Sequence, residues 1–194
     1  KHALEIAANY SHTFVRIADR ILSRFLTRVY DGIEVRNAEY LHRLPPACEL
    51  VYMPCHRPHV DSLPLSYVIY KRGYAVPYVA AGVNLNLPVI GRLLRKGGAF
   101  FIRRSFRGSG LYPIVFMKYV DVMMNRGHPI EFFIEGGRSR TGRLLRPRTG
   151  MLSMTVRGFL RDTRRPVAYV PVYFGYDRLL EGETAKLLRM EEVL

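Results

Sequence analysis

Five short apolar or β-branched runs alternate with stretches of helical periodicity along this chain, and that rhythm limits the folds open to it. The runs are Glu49–Pro54, Ala75–Val79, Ala99–Ile102, Glu131–Ile134 and Val167–Tyr173. After the first comes a helical pattern that starts at Asp61 or Ser62, passes through Leu65, Val68, Ile69 and Tyr70, and stops at Gly73, with Pro64 tolerated in its first turn. Between the third and fourth runs, Tyr112 to Asn125 is helical and ends near Gly127. Strand and helix in this order predict an α/β domain with a largely parallel mixed β-sheet flanked by helices.

Lys1 to Tyr30 precedes these units and reads as one amphipathic helix, with Leu4, Phe14, Ile17, Ile21, Leu22 and Phe25 near helical spacing. It also carries Arg16, Arg20, Arg24 and Arg28 at steps of four. Like charges so spaced repel one another in water and favour an acidic or lipid-headgroup surface, while a solvated basic face over a packed core accounts for the same pattern. The organisation expected is an N-terminal amphipathic helix and connector over residues 1–45, then an α/β catalytic domain over 46–194. The chain opens on Lys1 without a methionine, so a piece of a longer protein is expected.

With 194 residues, 48% of them hydrophobic and 24% charged, the chain has the composition of a globular domain. Cys48 and Cys55 supply no disulfide framework, which fits a reducing compartment. Neither a signal peptide nor an apolar run of about 20 residues is present. The net charge of +14 is concentrated between Arg92 and Arg148, where 13 Lys and Arg stand against Asp121, Glu131 and Glu135. Such a segment calls for an anionic partner: nucleic acid, a phosphorylated metabolite, an acidic carrier protein or anionic lipid. Nucleic acid fits least, since Phe100, Phe101, Phe132 and Phe133 sit in apolar strand runs and are not free to stack on bases.

Chemistry gathers just after three of the runs. His56 and Asp61 follow the first, and in open α/β sheets the carboxyl ends of strands are where ligands bind. A neutral imidazole can take a proton from a hydroxyl, and a carboxylate on its far nitrogen fixes the tautomer and stabilises the imidazolium. Asp61 as the cap of the following helix, beside an ordinary surface histidine, is the competing reading. A metal set of Cys55, His56, His59 and Asp61 would crowd four ligands into seven residues and resembles no usual zinc spacing. The third run ends in Arg103-Arg104, which can hold a phosphate or bond local carbonyls and acids. The fourth leads into Glu135-Gly136-Gly137-Arg138-Ser139-Arg140, where glycines let backbone N–H groups approach a ligand and Glu135 can bond a substrate hydroxyl or hold an arginine. Gly137 to Arg143 has P-loop glycine spacing but Arg143 and Leu144 in place of Lys and Ser/Thr, which argues against nucleotide hydrolysis. The three strand ends together describe a site that deprotonates a hydroxyl of a phosphorylated substrate.

His56 with Asp61, Gly98–Arg104, Phe133–Arg140 and Val170-Pro171-Val172 resemble, in order and spacing, the four blocks of the glycerolipid acyltransferases with a His-x4-Asp motif. Arg103 before Arg104 and Glu135-Gly136-Gly137 resemble the bacterial membrane-associated branch that acylates glycerol 3-phosphate more than the branch acting on lysophosphatidic acid. The resemblance implies His56 as general base on the 1-hydroxyl with Asp61 as its partner. It implies Arg103, Arg104, Glu135, Gly136, Arg138, Ser139 and Arg140 as the glycerol 3-phosphate site, and Pro171 as shaping the acyl-donor side. The implied partners are glycerol 3-phosphate, acyl-CoA or acyl carrier protein, and an anionic membrane surface at the cytoplasmic face of the bacterial inner membrane. No nucleic acid and no cofactor beyond the acyl thioester are expected.

Overall fold

The computed structural model describes residues 2–29, 32–57, 61–106, 108, 110–139, 141–161, 165–176 and 188–192, with backbone alone at 29, 176 and 188–192. Its strands are β1 (Ile33–Arg36), β2 (Glu49–Pro54), β3 (Tyr78–Gly82), β4 (Phe100–Ile102), β5 (Ile130–Glu131), β6 (Val167–Tyr176) and β7 (Leu188–Glu192). They form one sheet in the order β1-β7-β6-β2-β5-β3-β4. From β6 to β4 every neighbouring pair is parallel, and the antiparallel contact is β6 with β7. The parallel mixed sheet flanked by helices is therefore the observed fold.

Helices α1 (His2–Ile6), α2 (His12–Val29), α3 (Ser62–Lys71), α4 (Ile90–Lys96), α5 (Tyr112–Asn125) and α6 (Gly150–Arg161) lie around the sheet. Parallel partners share a face, and the two faces bury different cores. Val51, Ile130 and Phe100 pack on one side with Phe116 and Val120 of α5. Tyr52, Val170, Val172 and Phe174 pack on the other with Leu65 and Ile69 of α3.

Several expectations need correcting. The N-terminal helix is two helices, because the backbone between them bonds to the end of α4: Asn9 and Ser11 N–H donate to the Arg95 and Lys96 carbonyls, each at 3.0 Å. Ser11 then caps α2 by accepting from Phe14 N–H at 3.3 Å, as an N-cap serine does for N3. Ile17, Ile21 and Phe25, which the packed-core reading of this helix would bury, are 49%, 63% and 49% exposed. Helix α2 touches the body chiefly through Val15, Leu26 and the Asp19–Lys71 pair, which leaves a whole side of it in solvent. The second strand begins at Tyr78, after Pro77, which has no N–H to give a ladder. The fourth is only Ile130–Glu131, because Gly136 N–H turns back onto the Phe133 carbonyl at 2.9 Å. Helices α4 and α6 and strands β1 and β7 add to the elements expected from the sequence. Strand β1 belongs to the first 45 residues yet pairs with β7, so the connector is part of the sheet.

Candidate active site

Strands β2, β5, β3 and β4 run the same way, so His56, Glu135 and Arg103-Arg104 leave the sheet at one edge. His56 Nδ1 lies 3.1 Å from Asp61 Oδ2. Asp61 is fully buried, and the same oxygen accepts from Arg57 N–H at 2.5 Å. These contacts decide between the two sequence readings. Asp61 occupies the residue before α3, but its backbone is helical and its side chain makes no cap bond. The carboxylate instead accepts Nδ1–H, which leaves Nε2 as the lone-pair nitrogen. Phe133 stacks on the imidazole at 3.8 Å between centroids and 21° between planes, fixing the remaining freedom of the ring.

The loop after β5 closes over this dyad. Glu135 is buried and accepts from His56 N–H at 2.9 Å and from Leu145 N–H at 2.7 Å. Ser139 N–H donates to the His56 carbonyl at 2.8 Å, and Ser139 Oγ donates to the Arg143 carbonyl at 2.5 Å. Glu135 and Ser139 are thus ties between the loop and the His56 backbone. Gly136 makes the turn at φ +60°, where a Cβ would stand 2.7 Å from Arg148 Cδ. Arg138 precedes Ser139 and is carried to the His56 side of the edge by that tie.

The arginine pair divides. Arg103 bonds Glu5 of α1 through Nε to Oε1 at 2.6 Å and Nη2 to Oε2 at 2.7 Å, and its guanidinium lies over the Tyr112 ring. Hydrogen bonding to Arg103 holds the Glu5 carboxyl below the usual carboxylate range. Arg104 is exposed. Strands β5 and β3 lie between it and β2, so the two strand ends are roughly 14 Å apart at ~4.8 Å per strand. Pro171 pairs with Met53, one rung before the β2–β6 ladder ends at Pro54 and Val172. Arg140 and His59 fall outside the described residues.

Sequence reasoning passed over two residues. Arg57 lies 4.7 Å over the Tyr173 ring and donates to its hydroxyl, so the backbone beside His56 is anchored to β6. The signal was simple adjacency to His56. Glu131 is a carboxyl inside an apolar strand, and its charge type alone could have drawn attention. Cys55 is buried with its thiol pushed up by burial, an environment unsuited to a nucleophile.

A family model described as Acyltransferase matches residues 32–175. Glycerol-3-phosphate acyltransferases of Pseudomonas putida (strain GB-1) and Pseudomonas fluorescens (strain Pf0-1) are 52% and 50% identical over 184 residues. Those alignments take in 95% of this chain and 22% of each relative, so the chain spans about a fifth of their length. The crystal structure of the 1-acyl-sn-glycerophosphate (LPA) acyltransferase PlsC from Thermotoga maritima superposes with a TM-score of 0.65 at 17% identity, over 92% of this chain and 66% of that one. The fold is therefore shared with that enzyme, and the chain belongs to the acyltransferase family.

Proposed function

We propose that this chain is the catalytic region of an enzyme that moves a fatty acyl group from a thioester to the 1-hydroxyl of glycerol 3-phosphate, giving 1-acyl-glycerol 3-phosphate. The observation that carries the reading is the buried Asp61 carboxylate 3.1 Å from His56 Nδ1 at a strand's carboxyl end. The Pseudomonas relatives' name supports the substrate. His56 Nε2 takes the hydroxyl proton as the oxygen attacks the thioester carbonyl. The tetrahedral intermediate then expels the thiolate by breaking C–S, and the imidazolium returns its proton to sulfur. The balance closes without a covalent enzyme intermediate or a cofactor.

Arg104 and Arg138 supply cations for the phosphate, with Arg140 completing the group, and Gly136 to Ser139 shape the loop. The donor is acyl-CoA or acyl carrier protein, whose phosphates or acidic surface suit the basic segment. Helix α2 sets exposed Ile17, Ile21 and Phe25 beside Arg16, Arg20 and Arg24, the composition of a helix lying in a headgroup layer. This supports a place on the cytoplasmic face of the bacterial inner membrane. Among the described residues no helix is long and apolar enough to cross a membrane.

The test is turnover of glycerol 3-phosphate with palmitoyl-CoA by the intact protein that carries this chain. His56→Ala is expected to lower kcat by about 10²–10⁴-fold with the fold preserved. Wild-type turnover by that variant would exclude His56 as the base.

A further inference from the structure

Glu131 is the anomaly of this interior. It sits in β5, between β2 and β3 in the middle of the parallel region, where strands buried on both faces ordinarily carry Val, Ile or Leu. It is fully buried, and among the described residues neither carboxyl oxygen has a hydrogen-bond partner. Register pairs it with Tyr52 on β2 and Val79 on β3, which puts its side chain on the face covered by α3. The residue at the start of α3 is Asp61. Buried polar groups are paired in the great majority of folds because leaving one unpaired costs free energy that packing does not return. A carboxyl kept in such a position next to a catalytic pair calls for a reason in the chemistry.

We infer that Glu131 is a positioning residue of the His56–Asp61 dyad, a carboxyl that works in its protonated form so that the two acids carry one negative charge, held on Asp61 beside the imidazole. This rests on the dyad reading given above. The electrostatics agree: burial, and then the neighbouring Asp61 charge, raise the Glu131 carboxyl well above the ordinary value. Two ionised carboxylates on one dry face would repel, and one of them must keep its proton. Asp61 accepts from two donors, His56 Nδ1–H and Arg57 N–H, and Glu131 has none among the described residues. The proton therefore resides on Glu131. When His56 becomes imidazolium, a single negative charge faces it, and the neutral acid supplies a dipole where an apolar side chain would leave Asp61 further desolvated. Tyr52 from β2, Asp61 from the start of α3 and Val79 from β3 lie on this face, and the same core also holds the titratable side chains of Cys55, Tyr67, Tyr74 and Tyr173.

The experiment compares Glu131→Met, Glu131→Gln and His56→Ala in the intact protein, reading kcat, KM and the melting temperature. Glu131→Met removes the orphaned polar atoms, so it should melt higher than wild type while kcat falls by about tenfold or more with KM for glycerol 3-phosphate unchanged. Glu131→Gln keeps the dipole without a titrating proton and should retain kcat within about threefold. Wild-type kcat in Glu131→Met would overturn the inference, as would a loss in Glu131→Gln equal to that in Glu131→Met. If the methionine variant does not fold, infrared spectroscopy decides: at neutral pH the wild type should show a protonated-carboxyl C=O band that Glu131→Gln lacks, and absence of that band overturns the protonated state. His56→Ala separates the two levels. Full activity there defeats the dyad itself, whereas an inactive His56→Ala beside a fully active Glu131→Met defeats only the role of Glu131.

Discussion

Gly136 shows how a single residue's backbone sets the site. Its φ of +60° is a region that L side chains adopt at a cost of about 1–2 kcal/mol, and the turn it makes brings Ser139 back to the His56 carbonyl. Gly136→Ala should lower unfolding free energy by about 1–2 kcal/mol in urea titration, with Arg148 shifting to admit the new methyl group. Gly136→Asn should lose less, since asparagine tolerates the left-handed region. Equal losses in the two would show that the new side chain's bulk, and not φ, sets the cost. The glycine pair was legible as a close backbone approach. What Glu135 does was not: a carboxylate before two glycines reads as a substrate ligand, and here both its oxygens tie backbone N–H groups. Local sequence cannot reveal that a loop 79 residues away presents the donor.

At the scale of elements, α2 departs most from its sequence pattern. A period of 3.6 identifies an apolar stripe but not whether protein covers it, and here the stripe of Ile17, Ile21 and Phe25 faces outward beside the arginines. Replacing those three with serine should abolish flotation with vesicles of phosphatidylethanolamine and phosphatidylglycerol while leaving turnover of a soluble short-chain donor near wild type. Retained flotation would remove α2 as the membrane contact. Helix α1 has a different part. Glu5 on this short helix takes Arg103, so of two adjacent arginines that look equivalent in sequence one is bound to the scaffold and the other stays exposed. Strand β5 was expected four residues long and is two, because the apolar run Phe132-Phe133-Ile134 is needed for packing and for the His56 stack after pairing has ended.

Across the whole molecule, strand order decides which motifs meet. Strand β5 enters between β2 and β3, so the glycine loop is next to His56 and the β4 arginines are three strands away. A three-carbon phosphate whose hydroxyl is at His56 covers only part of that edge, so a phosphate contact from Arg104 requires the long arginine side chain to reach back toward β2. Arg104→Ala should then raise KM for glycerol 3-phosphate by about ten- to a hundredfold, the worth of a hydrogen bond to a charged group, with kcat little changed. An unchanged KM would place the phosphate on the Arg138 side of the edge. The stability of the molecule also carries Glu131. Because its folded carboxyl is raised, its contribution is present below the ordinary carboxylate pKa and is lost as pH climbs from there through the folded value. The melting advantage of Glu131→Met should accordingly widen as pH rises above about 4.5.

The sequence by itself determined the alternating α/β plan, the first strand with His56 and Asp61 just beyond it, the helix from Tyr112 to Asn125 and the glycine-arginine loop, because these are written in local period, turn chemistry and short spacing. Tertiary structure alone decided that Asp61 bonds the imidazole instead of capping α3, that Arg103 belongs to Glu5, and that Glu131 is buried on the sheet face that α3 covers. The physical reason is that each of these depends on which apolar faces bury one another. That pairing brings together residues far apart in the chain, whose mutual burial and charge no local pattern records.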